Sequence, residues 1–185
     1  MRPSDHAPRR LTALVVAFLL ATCGSPGTDT PDGQPAPGAP DADWTRGVVH
    51  RASAGAGVAT LTRVRAGMQD GHDRIVFEFP GSALPGYHVE YVDRPVRQCG
   101  SGEVVQVAGD GRLQIRMEPA QAHDDQGRPT ITQRALSPGL PAIREARLTC
   151  DFEGQVTWVL GVSSPNPYRV QELSSPSRLV VDVRH

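Results

Sequence analysis

The sequence predicts an all-β fold, an antiparallel β-sandwich of about eight strands, preceded by a signal peptide and a disordered Pro/Gly-rich tether. Three observations lead there. From about Val48 onward apolar residues recur at every second position, the period of a strand with one buried face. No window carries the 3.6-residue period of a three-turn helix. The 185 residues include 19 Gly and 17 Pro, a load that suits turns and extended linkers better than helices.

The leader comes first. Arg2, Arg9 and Arg10 precede an uncharged apolar run, Leu11 to Thr22. That run is shorter than the ~20 residues of a membrane-spanning helix and has the length and flanks of a signal-peptide core. Directly after it stands Leu20-Ala21-Thr22-Cys23-Gly24. This resembles the lipobox of bacterial lipoproteins, with an aliphatic residue three before the cysteine and small residues between. The resemblance implies that Cys23 is lipidated and that residues 1–22 are cut away. Thr22 departs from the Gly, Ala or Ser usual there. Each buried methylene of an acyl chain contributes ~0.8 kcal/mol, so two or three chains on one cysteine hold stably where one does not. An ordinary secretory signal followed by a chance cysteine is the alternative.

Residues 23–47 form the tether. From Cys23 to about Asp43 there is no aliphatic residue larger than Ala. Such a segment cannot bury a core and is predicted to be disordered, and its prolines favour extended conformations with ~3.1 Å of reach per residue.

Residues 48–185 form the domain. Val58 to Ala66 is a predicted first strand. In Asp73 to Pro80, Ile75, Phe77 and Phe79 share a face; in Gly86 to Val92, Tyr87, Val89 and Tyr91 do. Arg112 to Glu118 alternates strictly, with Leu113, Ile115 and Met117 inward and Arg112, Gln114, Arg116 and Glu118 outward. Ala142 to Phe152 and Tyr168 to Leu173 are extended candidates. In Gln155 to Val162, Val156, Trp158, Leu160 and Val162 lie together, and in Ser177 to Val183, Leu179, Val181 and Val183 point inward. Alternation with one wet face indicates antiparallel sheets, and short strands at this spacing indicate a sandwich. The stretch from Ala120 to Pro141 reads as a long loop, of the kind that is often functional or mobile.

Two cysteines remain after Cys23. Cys99 lies in a Gly/Ser turn and Cys150 in a strand, with Leu148 and Phe152 expected on its side. In an extracytoplasmic compartment such an even pair forms a disulfide; a catalytic or metal role would need further ligands at fitting spacing.

Several function classes are excluded. The net charge is −1, so there is no case for non-specific nucleic-acid binding. All 19 basic residues are Arg; codon bias accounts for that more simply than carboxylate or phosphate recognition by planar forks does. Ser101 lacks the G-x-S-x-G frame of a nucleophile elbow. His123-Asp124-Asp125 is the best constellation for metal or acid–base chemistry, but adjacent residues chelate one ion poorly, and it lies in a polar loop. His72-Asp73 reads as turn chemistry. The expectation is no enzyme, no metal and no cofactor.

The segments GHDRIVFEFPG (71–81), PGYHVEYV (85–92), DFEGQVTWVLGV (151–162), YRVQEL (168–173) and SRLVVDVRH (177–185) together resemble the AMIN-like domain of actinobacterial lipoproteins. That domain is similar in turn to the AMIN domain of cell-wall amidases and secretin pores. The recurring signature is an Arg-aliphatic-Val-aliphatic-Asp strand, here Arg178 to Val183, with a looser echo in DRIVFEF. The resemblance covers roughly Val58 to His185. It implies a β-sandwich that acts as a non-catalytic, extracytoplasmic envelope-targeting module, lipid-anchored to the cell membrane and often engaging peptidoglycan. A protein-interaction subunit of an envelope complex is the alternative. Candidate ligand-binding residues are Tyr87, Tyr91 and Tyr168, whose rings could pack on sugars, and Arg144 and Arg147, which could meet muropeptide carboxylates. Trp158 reads as core.

Overall fold

The computed structural model describes residues 43–55, 57–81 and 84–185. The leader, Cys23 and the tether up to residue 42 lie outside the described residues. Twelve strands run in order: β1 (Val49–Arg51), β2 (Ala59–Thr60), β3 (Arg63–Gln69), β4 (His72–Phe79), β5 (Gly86–Tyr91), β6 (Gly111–Glu118), β7 (Ala120–Gln121), β8 (Ala135–Leu136), β9 (Ile143–Phe152), β10 (Gln155–Val162), β11 (Tyr168–Leu173) and β12 (Ser177–Arg184). No helix occurs among the described residues.

Two antiparallel sheets make the sandwich. One has six strands in the order β1-β5-β6-β10-β9-β8, the other four in the order β11-β12-β4-β3, and β2 with β7 forms a short parallel pair. The alternation predicted from sequence supplies the core. Ile75, Phe77 and Phe79 meet Leu113, Ile115, Met117, Val156, Trp158, Leu160, Leu179, Val181 and Val183, all fully buried. Phe77 and Trp158 join the two sheets edge to face at 6.0 Å, an arrangement favoured by the ring quadrupoles.

The extra strands relative to the eight expected are short. The predicted first strand is broken at Leu61-Thr62: Ala59–Thr60 pairs in parallel with β7, and only Arg63–Gln69 joins the four-stranded sheet. The expected 120–141 loop is largely built in. It supplies β7 and β8, buries Ala120, Ala122 and Ile131, and is tied down where Thr130 Oγ1 donates to the Leu61 carbonyl at 2.6 Å.

One-sided burial fails on β10. Thr157, Val159 and Gly161 are covered as fully as Trp158 and Leu160, because a flap formed by residues 93–110 lies over the outer face of the six-stranded sheet. Val96 and Val107 pack on Val159, and the Ala108 amide donates to Glu145 Oε2 at 2.8 Å. Gly161 is required there, since a Cβ at that position would stand against the Ala108 carbonyl oxygen. Arg112, expected outward in water, is only 6% exposed at the base of this flap. It donates to the carbonyls of Gly109 (2.7 Å) and Gly111 (2.9 Å), and burial, with Arg94 nearby, lowers its pKa.

Cys99 and Cys150 form a disulfide with their Cα atoms 5.2 Å apart. The side on which Cys150 sits corrects the sequence reading. β9 is bulged at Thr149: Leu148 pairs with Trp158, but Cys150 pairs with Thr157. The extra residue turns Cys150 away from the Leu148 side, toward the flap that carries Cys99. Phe152, expected inward, is consequently 57% exposed.

Candidate functional site

Antiparallel pairing of β3, β4, β12 and β11 lays out the outer face of the four-stranded sheet in rows. Arg63, Glu78 and Arg178 form one row. Arg65, Val76, Val180 and Gln171 form the next, then Gly67, Arg74, Asp182 and Arg169, and last Gln69, His72 and Arg184. The RLVVD strand runs against the RIVFE strand, so each arginine of one stands opposite the acid of the other. Six arginines thus share a face with two carboxylates, an excess of four positive charges in a chain whose net charge is −1.

Asp182 is the hub. It is fully buried, yet it accepts from Arg74 Nε (2.7 Å) and Nη2 (2.9 Å) and from Arg169 Nε (2.9 Å), with His72 Nε2 at 3.4 Å. Burial alone would raise its pKa; the hydrogen bonds and charges of Arg74 and Arg169 outweigh that and lower it. Arg74 is raised in return, chiefly by its hydrogen bond to Asp182. Trp44 completes the cluster. The guanidiniums of Arg169 and Arg184 each lie 4.6 Å from the centroid of its ring. Beside it Thr45 exchanges backbone hydrogen bonds with Tyr168 (2.8 and 2.7 Å). The end of the segment assigned to the tether, residues 44–47, is therefore packed onto the domain.

At the other end of the face the arginines are less engaged. Arg65 Nη1 comes only within 3.8 Å of Glu78, and Arg178 donates to the carbonyls of Pro176 and Ser174. Arg65, Arg74 and Arg178 rim a cavity of about 240 Å³, with Val76, Val180 and Gly67 among its lining residues. A Cβ placed on Gly67 would meet nothing within 4 Å.

The other candidates are dispersed. Tyr168 is fully buried and Tyr91 packs on it edge to face at 5.7 Å. The Tyr91 hydroxyl donates to the Asn166 carbonyl at 2.6 Å, and the Tyr168 hydroxyl lies 2.8 Å from the Val89 carbonyl. Burial pushes both phenols up to about 12. Tyr168 offers no surface to a ligand. Tyr87 is buried and donates to Glu172 at 2.8 Å, with Arg51 across its ring; burial first, then Glu172, raises it to about 12. On β9 a second irregularity falls between Ile143 and Glu145. Arg144 stands exposed at it, while Arg147 pairs with Glu145 at 2.6 Å.

The two His-Asp pairs behave differently. His123 lies 3.0 Å from Asp151, while Asp124 accepts from the amides of Gln126 and Arg128 and from Arg128 Nε, forming a turn. His72-Asp73 is not a turn but the start of β4. Asp73 is fully buried, and its Oδ2 accepts from the amides of Ala142 (2.5 Å) and Ile143 (2.8 Å) where β9 begins. Among the described residues no three or more His, Cys, Asp or Glu side chains are grouped to hold a metal. The arginine face is invisible when each strand is taken alone, because it is assembled by register between strands; the repeated R-x-V-x-acid pattern is its signal in the sequence.

A two-sheet antiparallel sandwich with an arginine-rich outer face and a disulfide-pinned flap defines a small β module. The AMIN-like domain model matches residues 59–185, more than half of the chain. The chain belongs to the AMIN-like family. No curated protein and no solved structure gives a significant match.

Proposed function

We propose that this chain is a lipid-anchored, non-catalytic cell-envelope module that engages peptidoglycan through the arginine face of the four-stranded sheet. Family membership supports the envelope setting. The observation that carries the reading is the excess of four positive charges built by strand register around Asp182. Peptidoglycan carries carboxylates, and Arg forks match carboxylates bidentately. The sequence at Cys23 supports the anchor.

The test is co-sedimentation of the detergent-solubilised full chain with purified sacculi. Binding above a control protein at physiological salt, weakening as salt rises, is expected; no enrichment overturns the reading. For the anchor, Cys23→Ser should release the processed chain from membranes, and continued membrane fractionation of that variant refutes lipidation as the attachment.

A second reading, a protein-interaction subunit of an envelope complex, draws on β3. Among the described residues this seven-residue strand lies at a sheet edge with a paired neighbour on one side only, and such edges accept strands from other chains. A partner recovered after solubilisation, with no sacculus binding, favours it over the first.

A further inference from the structure

Resting on the peptidoglycan reading, we infer that the cavity between Arg65, Arg74 and Arg178 binds the free carboxylate end of a short peptide with a small apolar last residue, so that the module reads the peptide stem of the wall and not its glycan.

Glycan recognition on a β surface uses aromatic faces left open to the sugar. Among the described residues Phe77, Phe79, Trp158 and Tyr168 are fully buried, Tyr87 is buried, Tyr91 is half-buried against Tyr168, and the half-buried Trp44 ring has two guanidiniums at 4.6 Å. Of the described Phe, Tyr and Trp side chains only Phe152 is exposed, and it stands on β9 in the other sheet. The cavity between Arg65, Arg74 and Arg178 has no aromatic residue in its lining to serve as a platform for a sugar ring.

Arg74 spends Nε and Nη2 on Asp182 and Gln171, which leaves the two Nη1 hydrogens of its five donors. Asp182 fixes that guanidinium, so it is pre-organised. Arg65 meets a carboxylate only at 3.8 Å, and Arg178 meets only carbonyls. Three cations therefore line one cavity, where an oxyanion would be held by charge-assisted hydrogen bonds. Between them the lining is apolar: Val76 and Val180 side by side, with Leu173 nearby. A methyl group next to the carboxylate fills that floor, whereas a phosphodiester would leave it bare. At about 240 Å³ the cavity is smaller than the ~300–1,000 Å³ that encloses a whole small ligand; it suits a chain end.

The experiment uses the solubilised full chain and four probes: intact sacculi, glycan strands stripped of peptide by an amidase, a pentapeptide ending in two alanines as free acid or as C-terminal amide, and inorganic phosphate. The free acid should displace the chain from sacculi, and the amide should be about tenfold weaker or worse, the weight of a charge-assisted contact. Stripped glycan should not sediment the chain. Arg65→Glu reverses one cation at a half-exposed position, and Gly67→Leu fills the cavity where an added Cβ meets nothing. Both should lose sacculus binding while keeping the wild-type urea midpoint. If stripped glycan binds as well as sacculi, or amide and phosphate compete as well as the acid, the inference is overturned while the peptidoglycan reading stands. If either variant folds and binds normally, the cavity is not the site. If sacculi do not bind at all, the peptidoglycan reading fails first.

Discussion

Asp182→Asn separates the buried charge from everything else at the hub. The carboxylate is fully buried and faces two guanidiniums within 2.9 Å, whose own side chains are 29% and 22% exposed. Removing one partner of a buried pair strands the other charges and costs about 3–5 kcal/mol. Asn keeps one acceptor oxygen, so the lower end, about 3 kcal/mol, is expected. For a domain of this size that corresponds to a fall in Tm of about 10 °C. Urea unfolding followed by tryptophan fluorescence measures it, since Trp158 is in the core. The pH dependence gives a second readout. The folded pKa of Asp182 is lowered, so its contribution is complete above the unfolded carboxylate value of about 3.9 and disappears as pH falls through the lower folded value. Wild type and variant should differ fully at neutral pH and converge in acid. A loss below about 1 kcal/mol, the range of exposed pairs, or a difference that persists unchanged in acid, would refute the reasoning.

Three further outcomes follow from the packing. Replacing Cys99 and Cys150 with Ala removes a cross-link 51 residues apart in sequence and should cost about 4 kcal/mol in the chain-entropy model; an unchanged urea midpoint contradicts that. Gly161→Ala places a Cβ against the Ala108 carbonyl and should lift the flap, seen as faster amide exchange at Ala108, whose donor bond to Glu145 breaks; overpacking of this kind costs about 1–3 kcal/mol, and native protection there would count against the flap contact. Trp44→Ala removes two cation–π contacts worth about 1–2 kcal/mol together and should make the chain near Thr45 more readily cut by protease, with equal cleavage rates as the contrary result.

Much of the fold was legible because a strand with one buried face writes a period of two into its sequence. Ile75, Phe77 and Phe79, or Leu179, Val181 and Val183, announce both their strand and their inward side, and all six are fully buried. The pairing of Cys99 with Cys150 also followed from sequence, because these are the two cysteines of the domain. The R-x-V-x-acid pattern was visible twice, at Arg74 to Glu78 and Arg178 to Asp182.

Tertiary structure alone decided what each outer face meets. Alternation states that one side of β10 is buried; that Val159 and Gly161 are buried on the other side depends on a flap some fifty residues upstream in the chain. The bulge at Thr149 inserts one residue and moves Cys150 and Phe152 to sides that a strict period cannot give. The arginine face likewise depends on register, since Arg74 meets Asp182 across 108 residues of sequence. Local patterning reports how each residue relates to its own strand, whereas register, bulges and covering loops are set by which distant segments pack together, and a single-strand period contains no term for that.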